Sequence, residues 1–173
     1  ARTNVGKTWW LIYFALQSAI QGLRVGIYSG EMSENKIGYR LDTFLFNISN
    51  WGLVHGDINI QTTYEKCIKN IKERVTGSIK VITPKQLDGQ ATVSKLRAFI
   101  EREDLEILYI DQYSLLSDEH KSKNSIDAFA CISKDLKTLQ VLKKIPIIIA
   151  SQLNRGENEN EDRPGMRNIA GSD

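Results

Sequence analysis

The chain opens with Ala1-Arg2-Thr3-Asn4-Val5-Gly6-Lys7-Thr8, and an apolar, amphipathic segment follows at once. A short polar stretch ending in glycine before a helix predicts a tight turn whose backbone N–H groups converge. Such N–H groups, at the positive end of a helix dipole, favour phosphate oxygens. The octet fits the phosphate-loop pattern, with Ala1 where the first glycine usually stands. We therefore predict a nucleotide site formed by a contiguous run of residues: Thr3, Asn4, Val5, Gly6, Lys7 and Thr8.

Helical and strand patterns alternate along the chain, which predicts an α/β fold with a mostly parallel sheet flanked by helices. Helices are predicted over Trp9–Gln21, from a Ser33 cap to Phe46, from a Thr62/Glu65 capping box to Arg74, over Thr92–Glu103 and over Ile126–Lys144. Strands are predicted over Arg24–Ser29, Ile79–Thr83, Leu105–Ile110 and Ile145–Ala150. The last two are apolar enough for a sheet that is covered on both faces.

Composition indicates one soluble domain over residues 1–173, with 41% hydrophobic and 25% charged residues. No apolar run approaches the roughly 20 residues of a membrane span, and no signal-peptide layout is present, so a cytoplasmic location is expected. The net charge of +2 neither requires nor excludes a nucleic-acid partner. Cys67 and Cys131 fit no metal-ligand pattern, so we expect reduced thiols.

An acidic residue at the end of a distant apolar strand is the expected companion of a phosphate loop, because it holds Mg²⁺ near the phosphates. Asp111 ends the strand Ile107-Leu108-Tyr109-Ile110 and fits this role, although a solvated aspartate at a strand end is common. Asp111 would hold the ion through water. Lys7 would reach the β and γ phosphates, and the Thr8 hydroxyl would ligate Mg²⁺.

Hydrolysis also requires a base that activates the attacking water. Glu31 follows the strand that ends at Ser29, and the carboxyl ends of parallel strands meet at one edge of a sheet. Glu31 and Asp111 should therefore both face the phosphates that Lys7 binds. Glu34 is the competing carboxylate, but it falls inside the next predicted helix and should face solvent.

Gln152 follows the last apolar strand at the same edge and is a candidate sensor of the γ-phosphate. The polar stretch from Asn154 to Pro164 has no hydrophobic period, which predicts a mobile loop. A nucleotide-dependent contact at Gln152 could therefore move that loop. The alternative is a glutamine that only ends the strand.

Several other residues carry weaker signals. His55 and His120 have no partner at ligand spacing and should lie on the surface, whereas Trp9 and Trp10 are expected to pack in the core. The basic residues of one predicted helix should form a solvated face: Lys66, Lys69, Lys72 and Arg74. Lys121 and Lys123 occupy a polar loop after the Asp111 strand, where a nucleic-acid strand could bind.

Four segments, in matching order, resemble the ATPase domain of the DnaB-type hexameric replicative helicases, including phage relatives. They are residues 4–8, 28–33, 109–116 and 150–155. The segments around Glu31 and Gln152 are the most discriminating, since many unrelated ATPases share phosphate loops. The resemblance covers nearly the whole chain.

The resemblance implies a RecA-like fold and a ring of six copies around single-stranded DNA, with ATP and Mg²⁺ bound between neighbours. It implies that Glu31 is the catalytic base, Asp111 the Mg²⁺ partner and Gln152 the γ-phosphate sensor. Arg40 matches a family arginine that lies near the nucleotide base. A primase and a helicase loader are the implied protein partners.

The resemblance also identifies residues 162–173 as the start of a DNA-contacting segment. The family commonly carries an arginine where this sequence has Ala170, so DNA contact would depend on Arg167 or on backbone N–H groups. The basic candidates for DNA contact are Lys121, Lys123, Arg155, Arg163 and Arg167.

A phosphate loop normally follows a strand, and no strand precedes Ala1, so we expect residues 1–173 to be a fragment of a longer protein. By the resemblance, the arginine finger that a neighbour inserts lies beyond Asp173. We therefore expect the fragment alone to hydrolyse ATP poorly and to be mostly monomeric in dilute solution. A stable hexamer in light scattering would contradict that expectation.

Two other functions remain open from the sequence. A recombinase of the same fold would bind DNA as a filament and exchange strands, and strand displacement on a forked duplex would distinguish it from a helicase. A non-helicase assembly module would use ATP as a switch without DNA, and salt-sensitive oligonucleotide binding would argue against it. Loss of chemistry is disfavoured because Lys7, Thr8, Glu31 and Asp111 are all present.

Overall fold

A four-stranded parallel sheet forms the centre of the computed structural model, which describes residues 6–151. Its strands are β1 (Arg24–Ser29), β2 (Ser78–Ile82), β3 (Ile107–Asp111) and β4 (Ile147–Ala150), in the spatial order β2-β1-β3-β4. Ser29 pairs with Asp111, which pairs in turn with Ala150. Three neighbouring strands therefore end level with one another at the carboxyl edge of the sheet.

The helices are α1 (Lys7–Ile20), α2 (Glu34–Phe46), α3 (Asn50–His55), α4 (Ile58–Lys69), α5 (Ile71–Arg74), α6 (Val93–Glu103) and α7 (Ser125–Lys143). Two short 3-10 helices span Pro84–Leu87 and Tyr113–Leu115. Helix α1 contacts all four strands, so its first turn is fixed relative to the whole sheet. Among residues 6–151, no helix is long and apolar enough to cross a membrane.

Apolar side chains cover both faces of the sheet, because successive residues of a strand point to opposite sides. On one face α1 and α2 pack over strand residues of alternating position: Val25, Ile27, Ile107 and Tyr109. On the other face α6 and α7 pack over the intervening positions: Tyr28, Leu108 and Ile110. The central strands are therefore buried on both sides, as expected of a parallel sheet.

Gly26 allows α6 to lie close to the middle of β1. A Cβ atom at this position would collide with Leu105 and would lie 3.2 Å from Phe99 Cε1. The missing side chain thus brings the α6 layer against the sheet and fixes the spacing of that half of the core.

The predicted fold class is confirmed, and the bounds of β1 are those predicted. Strand β3 begins at Ile107 rather than at Leu105, because the Leu105 N–H bonds back to the Ile100 carbonyl at the end of α6. Strand β4 begins after Pro146, which has no N–H to donate to a ladder.

One predicted helix start needs correction, and one correctly predicted N-cap residue makes no side-chain hydrogen bond. The Thr62/Glu65 capping box is wrong: α4 begins at Ile58, Asp57 caps it by accepting from the Asn59 N–H at 2.9 Å, and both predicted residues are exposed within the helix. The chain also forms α3 before it, which was not predicted. The predicted end near Arg74 is confirmed, although residues 71–74 form the separate helix α5. Ser33 does precede α2, but its side chain makes no capping hydrogen bond.

The prediction of core packing is wrong for Trp10, whose side chain is 62% exposed. It lies on the outer side of α1 beside exposed Tyr13 and Phe14, and Tyr13 in turn contacts exposed Phe44. Other surface predictions are confirmed: both histidines are exposed, and so are the four basic residues of α4 and α5. The two cysteines are half-buried free thiols.

Candidate nucleotide site at the carboxyl edge of the sheet

Gly6 makes the turn into α1, with φ 81° and ψ 22°. This left-handed conformation strongly favours glycine, and no atom of the described residues lies within 4 Å of where a Cβ would stand. The first turn of α1 contains no acidic residue, and no side chain caps it. The positive end of the α1 dipole is therefore presented to an anion.

Asp111 lies at the end of β3, next to the central strand β1. Its side chain is 2% exposed, and its Oδ2 atom has no hydrogen-bond partner among the described residues. A buried carboxyl oxygen without a donor is costly, and such atoms occur where a ligand completes the site. The backbone carbonyl of Asp111 accepts from the Gly30 N–H at 2.6 Å, which continues the β1–β3 ladder beyond the strands.

Glu31 follows β1 by two residues and stands beside the end of β3. The turn that carries it is fixed by a hydrogen bond from the Met32 N–H to Ser29 Oγ at 3.1 Å. Glu31 is itself exposed, so packing does not determine its orientation. Its Oε1 atom accepts instead from Gln112 Nε2 at 2.9 Å.

Gln112 connects the two charged residues at the edge. Its Oε1 atom accepts from Lys7 Nζ at 3.1 Å, while its Nε2 atom donates to Glu31. The peptide bond that precedes it, between Asp111 and Gln112, is cis. Within the described part of the chain, no ion pair joins Lys7 directly to Glu31, so the amide stands between a cation and an anion.

Sequence reasoning missed Gln112, although its position was available. It directly follows Asp111, so any argument that puts Asp111 at the carboxyl edge also puts the next residue there. Glutamine has no pattern of its own in a phosphate site, and that is why the hydrogen bonds were needed to find it.

Arg40 lies on α2, and its guanidinium carbon is 4.6 Å from the centroid of the Trp9 ring. Burial lowers the pKa of Arg40, and the charge of Asp111 acts in the opposite direction. The predicted contact with a nucleotide base stays a prediction. The structure adds that Arg40 is close enough to Asp111 to feel its charge and is held against an aromatic ring.

Lys121 and Lys123 are exposed on the loop between β3 and α7. That loop is tied to its surroundings: Glu119 accepts from Ser94 at the start of α6, and His120 Nε2 lies 2.8 Å from Asp135 Oδ2 on α7. The Asp135 contact raises the pKa of His120. The two lysines therefore stand on a fixed loop, and their role in nucleic-acid binding stays a prediction.

Of the predicted site residues, the structure brings together Gly6, Lys7, Glu31 and Asp111 at one edge, with half-buried Thr8 in the first turn of α1. Other predicted residues lie outside the described part of the chain: Thr3, Asn4, Val5, Gln152, Arg155, Arg163 and Arg167. Their assignments stay predictions.

The residues at this edge fit a magnesium ion that arrives with a nucleotide. No group of three or more histidine, cysteine or acidic side chains converges on a metal position in residues 6–151. Magnesium does not require one, because one or two protein oxygens together with water and phosphate oxygens commonly hold it. Asp111 Oδ2, which no donor in the described ranges satisfies, and the hydroxyl of Thr8 are suitable ligands.

Comparison with known proteins identifies relatives over the full chain. Residues 1–173 match the family model of the DnaB-like helicase C terminal domain. The chain is 30% identical to a probable plasmid replicative DNA helicase of Chlamydia psittaci, over 99% of this chain and 38% of that protein. It is 28% identical to the replicative DNA helicase DnaB of Helicobacter pylori, over 99% of this chain and 36% of that protein. The chain thus spans somewhat more than a third of these relatives.

Two solved structures have the same fold. One is a DnaB-like replicative helicase described with its interactions with primase, and the other is described as an ATPase domain. Each superposes with a TM-score of 0.84 at 20% identity over 99% of this chain, covering 42% and 62% of the respective structures. The fold is therefore RecA-like, as the resemblance implied.

Proposed function

Because the chain belongs to the family of DnaB-like helicase C-terminal domains, we propose that it is the ATP-hydrolysing motor of a replicative DNA helicase. The motor would translocate on single-stranded DNA and unwind duplex at the replication fork. One observation carries this proposal: a lysine, a glutamate and a buried aspartate oxygen with no partner among residues 6–151 meet at the edge where Gly6 leads into α1.

Binding of the triphosphate is assigned to the phosphate loop. The N–H groups around Gly6 and the first turn of α1 bind phosphate oxygens, and Lys7 neutralises the β and γ phosphates. Thr3, Asn4 and Val5 complete the loop in this proposal. Arg40 is proposed to contact the nucleotide near its base, and Gln152 to sense the γ-phosphate.

Thr8 and Asp111 are proposed to hold Mg²⁺. The ion, when bound, neutralises charge on the phosphate oxygens and orients them for in-line attack. The two residues suit this role because one is a hydroxyl in the first turn of α1 and the other a buried carboxyl oxygen that no described donor satisfies.

Glu31 is proposed to be the general base. Its carboxylate accepts a proton from the water that attacks the γ-phosphorus, while Lys7 stabilises the negative charge on the transferred group. Glu31 is suited to this task because it is exposed to solvent and yet oriented by a hydrogen bond from a buried amide. The products are ADP and inorganic phosphate.

Single-stranded DNA is the proposed nucleic-acid partner, contacted by basic residues: Lys121, Lys123, Arg155, Arg163 and Arg167. The proposed assembly is a ring of six copies, with a primase and a helicase loader as further partners. Relatives named replicative DNA helicases support this assignment. A recombinase or an ATP-switched assembly module is less well supported, because the family model and these relatives are named for helicases.

The decisive test is DNA-stimulated ATP hydrolysis by the full-length protein, compared with its Glu31→Gln variant. We expect the variant to lose about a hundredfold or more in kcat, since a general base contributes roughly 10²–10⁴-fold. Glu34→Gln is the matched control. Glu34 is another exposed glutamate, three residues later. It accepts from Gln86 and makes no described hydrogen bond to Lys7 or Gln112.

Activity unchanged by Glu31→Gln would remove the base assignment. Hydrolysis without strand displacement on a forked duplex would contradict the helicase proposal and would favour a recombinase. Absence of any ATP binding would overturn the whole assignment.

A further inference from the structure

We propose that Gln112 is a positioning residue, which orients the Glu31 carboxylate and couples it to Lys7. The inference rests on the proposed ATP hydrolysis, and it concerns a residue to which the sequence analysis assigned no role. Its basis is the pair of hydrogen bonds at 3.1 Å to Lys7 Nζ and at 2.9 Å to Glu31 Oε1.

The contrast in burial explains why Glu31 needs a positioning partner. A free glutamate side chain has several rotamers, and ordering it costs entropy. Glu31 is exposed, so neighbouring atoms do not restrict it, whereas Gln112 is 7% exposed and is fixed within the structure. A hydrogen bond from the fixed amide to the free carboxylate therefore orients the carboxylate.

An amide is the suitable group for this position because it carries an acceptor and a donor on one planar unit. The acceptor faces the Lys7 ammonium and the donor faces the Glu31 carboxylate, so both charges are bound without forming a direct ion pair. A glutamate here would still accept from Lys7, but it would repel Glu31. A leucine would bind neither charge.

The same geometry couples the two catalytic candidates. The lysine ammonium has three donors, so it can bind phosphate oxygens with the donors that Gln112 does not use. Any displacement of Lys7 toward a phosphate changes its attraction for Gln112 Oε1. Because the amide is planar and rigid, that change reaches the Nε2–Glu31 bond, and the orientation of Glu31 therefore responds to a bound triphosphate.

Kinetic variants separate this role from a structural one. We expect Gln112→Leu to lower kcat for ATP hydrolysis about tenfold or more, with KM for ATP changed less than about threefold, because Lys7 remains free to bind phosphate. Gln112→Glu should lower kcat as well, since it retains the acceptor but loses the donor. The matched control is Gln61→Leu, because Gln61 donates to Glu65 at 3.1 Å on the exposed surface of α4.

A double-mutant cycle identifies the partner through which Gln112 acts. If Gln112 acts through Glu31, adding Gln112→Leu to Glu31→Gln should cause no further loss of kcat. Multiplicative losses would overturn the positioning role. If Gln112→Leu lowers thermal stability together with kcat, and neither recovers in Gln112→Asn, which keeps the amide, the residue is assigned to folding instead.

A measurement on the nucleotide-free protein tests the two hydrogen bonds of Gln112 without relying on activity. The side-chain amide signals of Gln112 in a ¹⁵N NMR spectrum should shift in both Lys7→Ala and Glu31→Ala, and stay in place in Glu34→Ala. If the Gln112 signals do not shift in either one of these variants, Gln112 does not bind both Lys7 and Glu31, and the proposal is overturned whatever the activity. If both variants show the shifts but the wild-type protein does not hydrolyse ATP, the proposed function is overturned and, with it, the kinetic role of Gln112.

Discussion

The two ends of the sheet differ in whether their charged side chains are paired with one another. At the amino end, Arg24 lies 3.1 Å from Asp104 and 3.4 Å from Glu106, and its backbone N–H also donates to Glu106. At the carboxyl end, the described residues join Lys7 to Glu31 through the Gln112 amide, and Asp111 retains an oxygen without a described partner. One end satisfies its charges internally, and the other does not.

This difference separates structural from functional charge. The pairs at the amino end are exposed to solvent, with Arg24 44% and Asp104 87% exposed, so they contribute little to stability and need no ligand. The carboxyl end combines a cation, an anion and a buried carboxyl oxygen in a form that folding alone does not complete. A nucleotide with Mg²⁺ would complete it.

The largest expected effect is that of Lys7→Ala at the carboxyl end. We expect ATP hydrolysis to fall about a hundredfold or more, because the variant removes a charge aimed at the developing negative charge on phosphate. The free energy of unfolding should change by no more than about 1 kcal/mol, since the described loss is one hydrogen bond from the half-buried lysine to Gln112. Steady-state kinetics and urea denaturation measure both. Lys80→Ala, which removes an exposed lysine paired with Glu103, should leave hydrolysis unchanged.

Asp111→Asn should have the next largest effect, and it separates function from stability most clearly. We expect roughly a tenfold or greater loss of hydrolysis at low Mg²⁺, partly recovered at high Mg²⁺, because the amide is a weaker ligand than a carboxylate. Stability should change by no more than about 1 kcal/mol, since no described hydrogen bond to Oδ2 is lost. Asp104→Asn is the amino-end control. A large loss of stability without a shift in Mg²⁺ dependence would assign Asp111 to the core.

A pair of tyrosines near the carboxyl end tests whether buried polar groups there are structural. Tyr113 binds the Phe129 carbonyl and Ser133 Oγ, so Tyr113→Phe should lower the free energy of unfolding by about 1–2 kcal/mol. The Tyr28 hydroxyl is buried with no described partner, and burial raises its pKa to about 12. Tyr28→Phe should therefore leave stability unchanged or slightly higher. Denaturant titration of both variants distinguishes these outcomes.

The smallest effect is expected at the amino end. Arg24→Met should lower the free energy of unfolding by about 0–1 kcal/mol, and the difference should shrink at high salt, because exposed ion pairs are screened. ATP hydrolysis should be unaffected. If Arg24→Met lowered the free energy of unfolding by more than about 2 kcal/mol, the ion pairs at the amino end would contribute more to stability than exposed pairs do.

The strands and the positions of Glu31 and Asp111 could be predicted from the sequence. Long apolar runs in a parallel sheet specify their own strands, and the topology then sends the residues that follow them to one edge. The contact between Lys7 and Gln112 could not be predicted in this way. It joins residues 105 positions apart in the sequence, and an amide carries no periodic signal.

The region between α2 and β2 shows why local patterns can mislead. Thr62 and Glu65 have the spacing of a capping box, yet they lie on the exposed side of α4, and Asp57 makes the cap. A pattern of two residues occurs by chance inside helices, and α4 contains no buried residue whose periodicity would have fixed its start.

The hydrogen bond from the Gly30 N–H to the Asp111 carbonyl has a mechanical consequence. It extends the β1–β3 ladder by one hydrogen bond between the residues that directly precede Glu31 and Gln112, so the backbones that carry both side chains are joined there. Bending of the sheet moves them together and preserves the distance between them. Lys7 belongs to a separate helix, but α1 contacts all four strands, so its first turn is held to the same sheet. The backbones that carry Lys7, Glu31 and Gln112 therefore keep their spacing when the sheet bends.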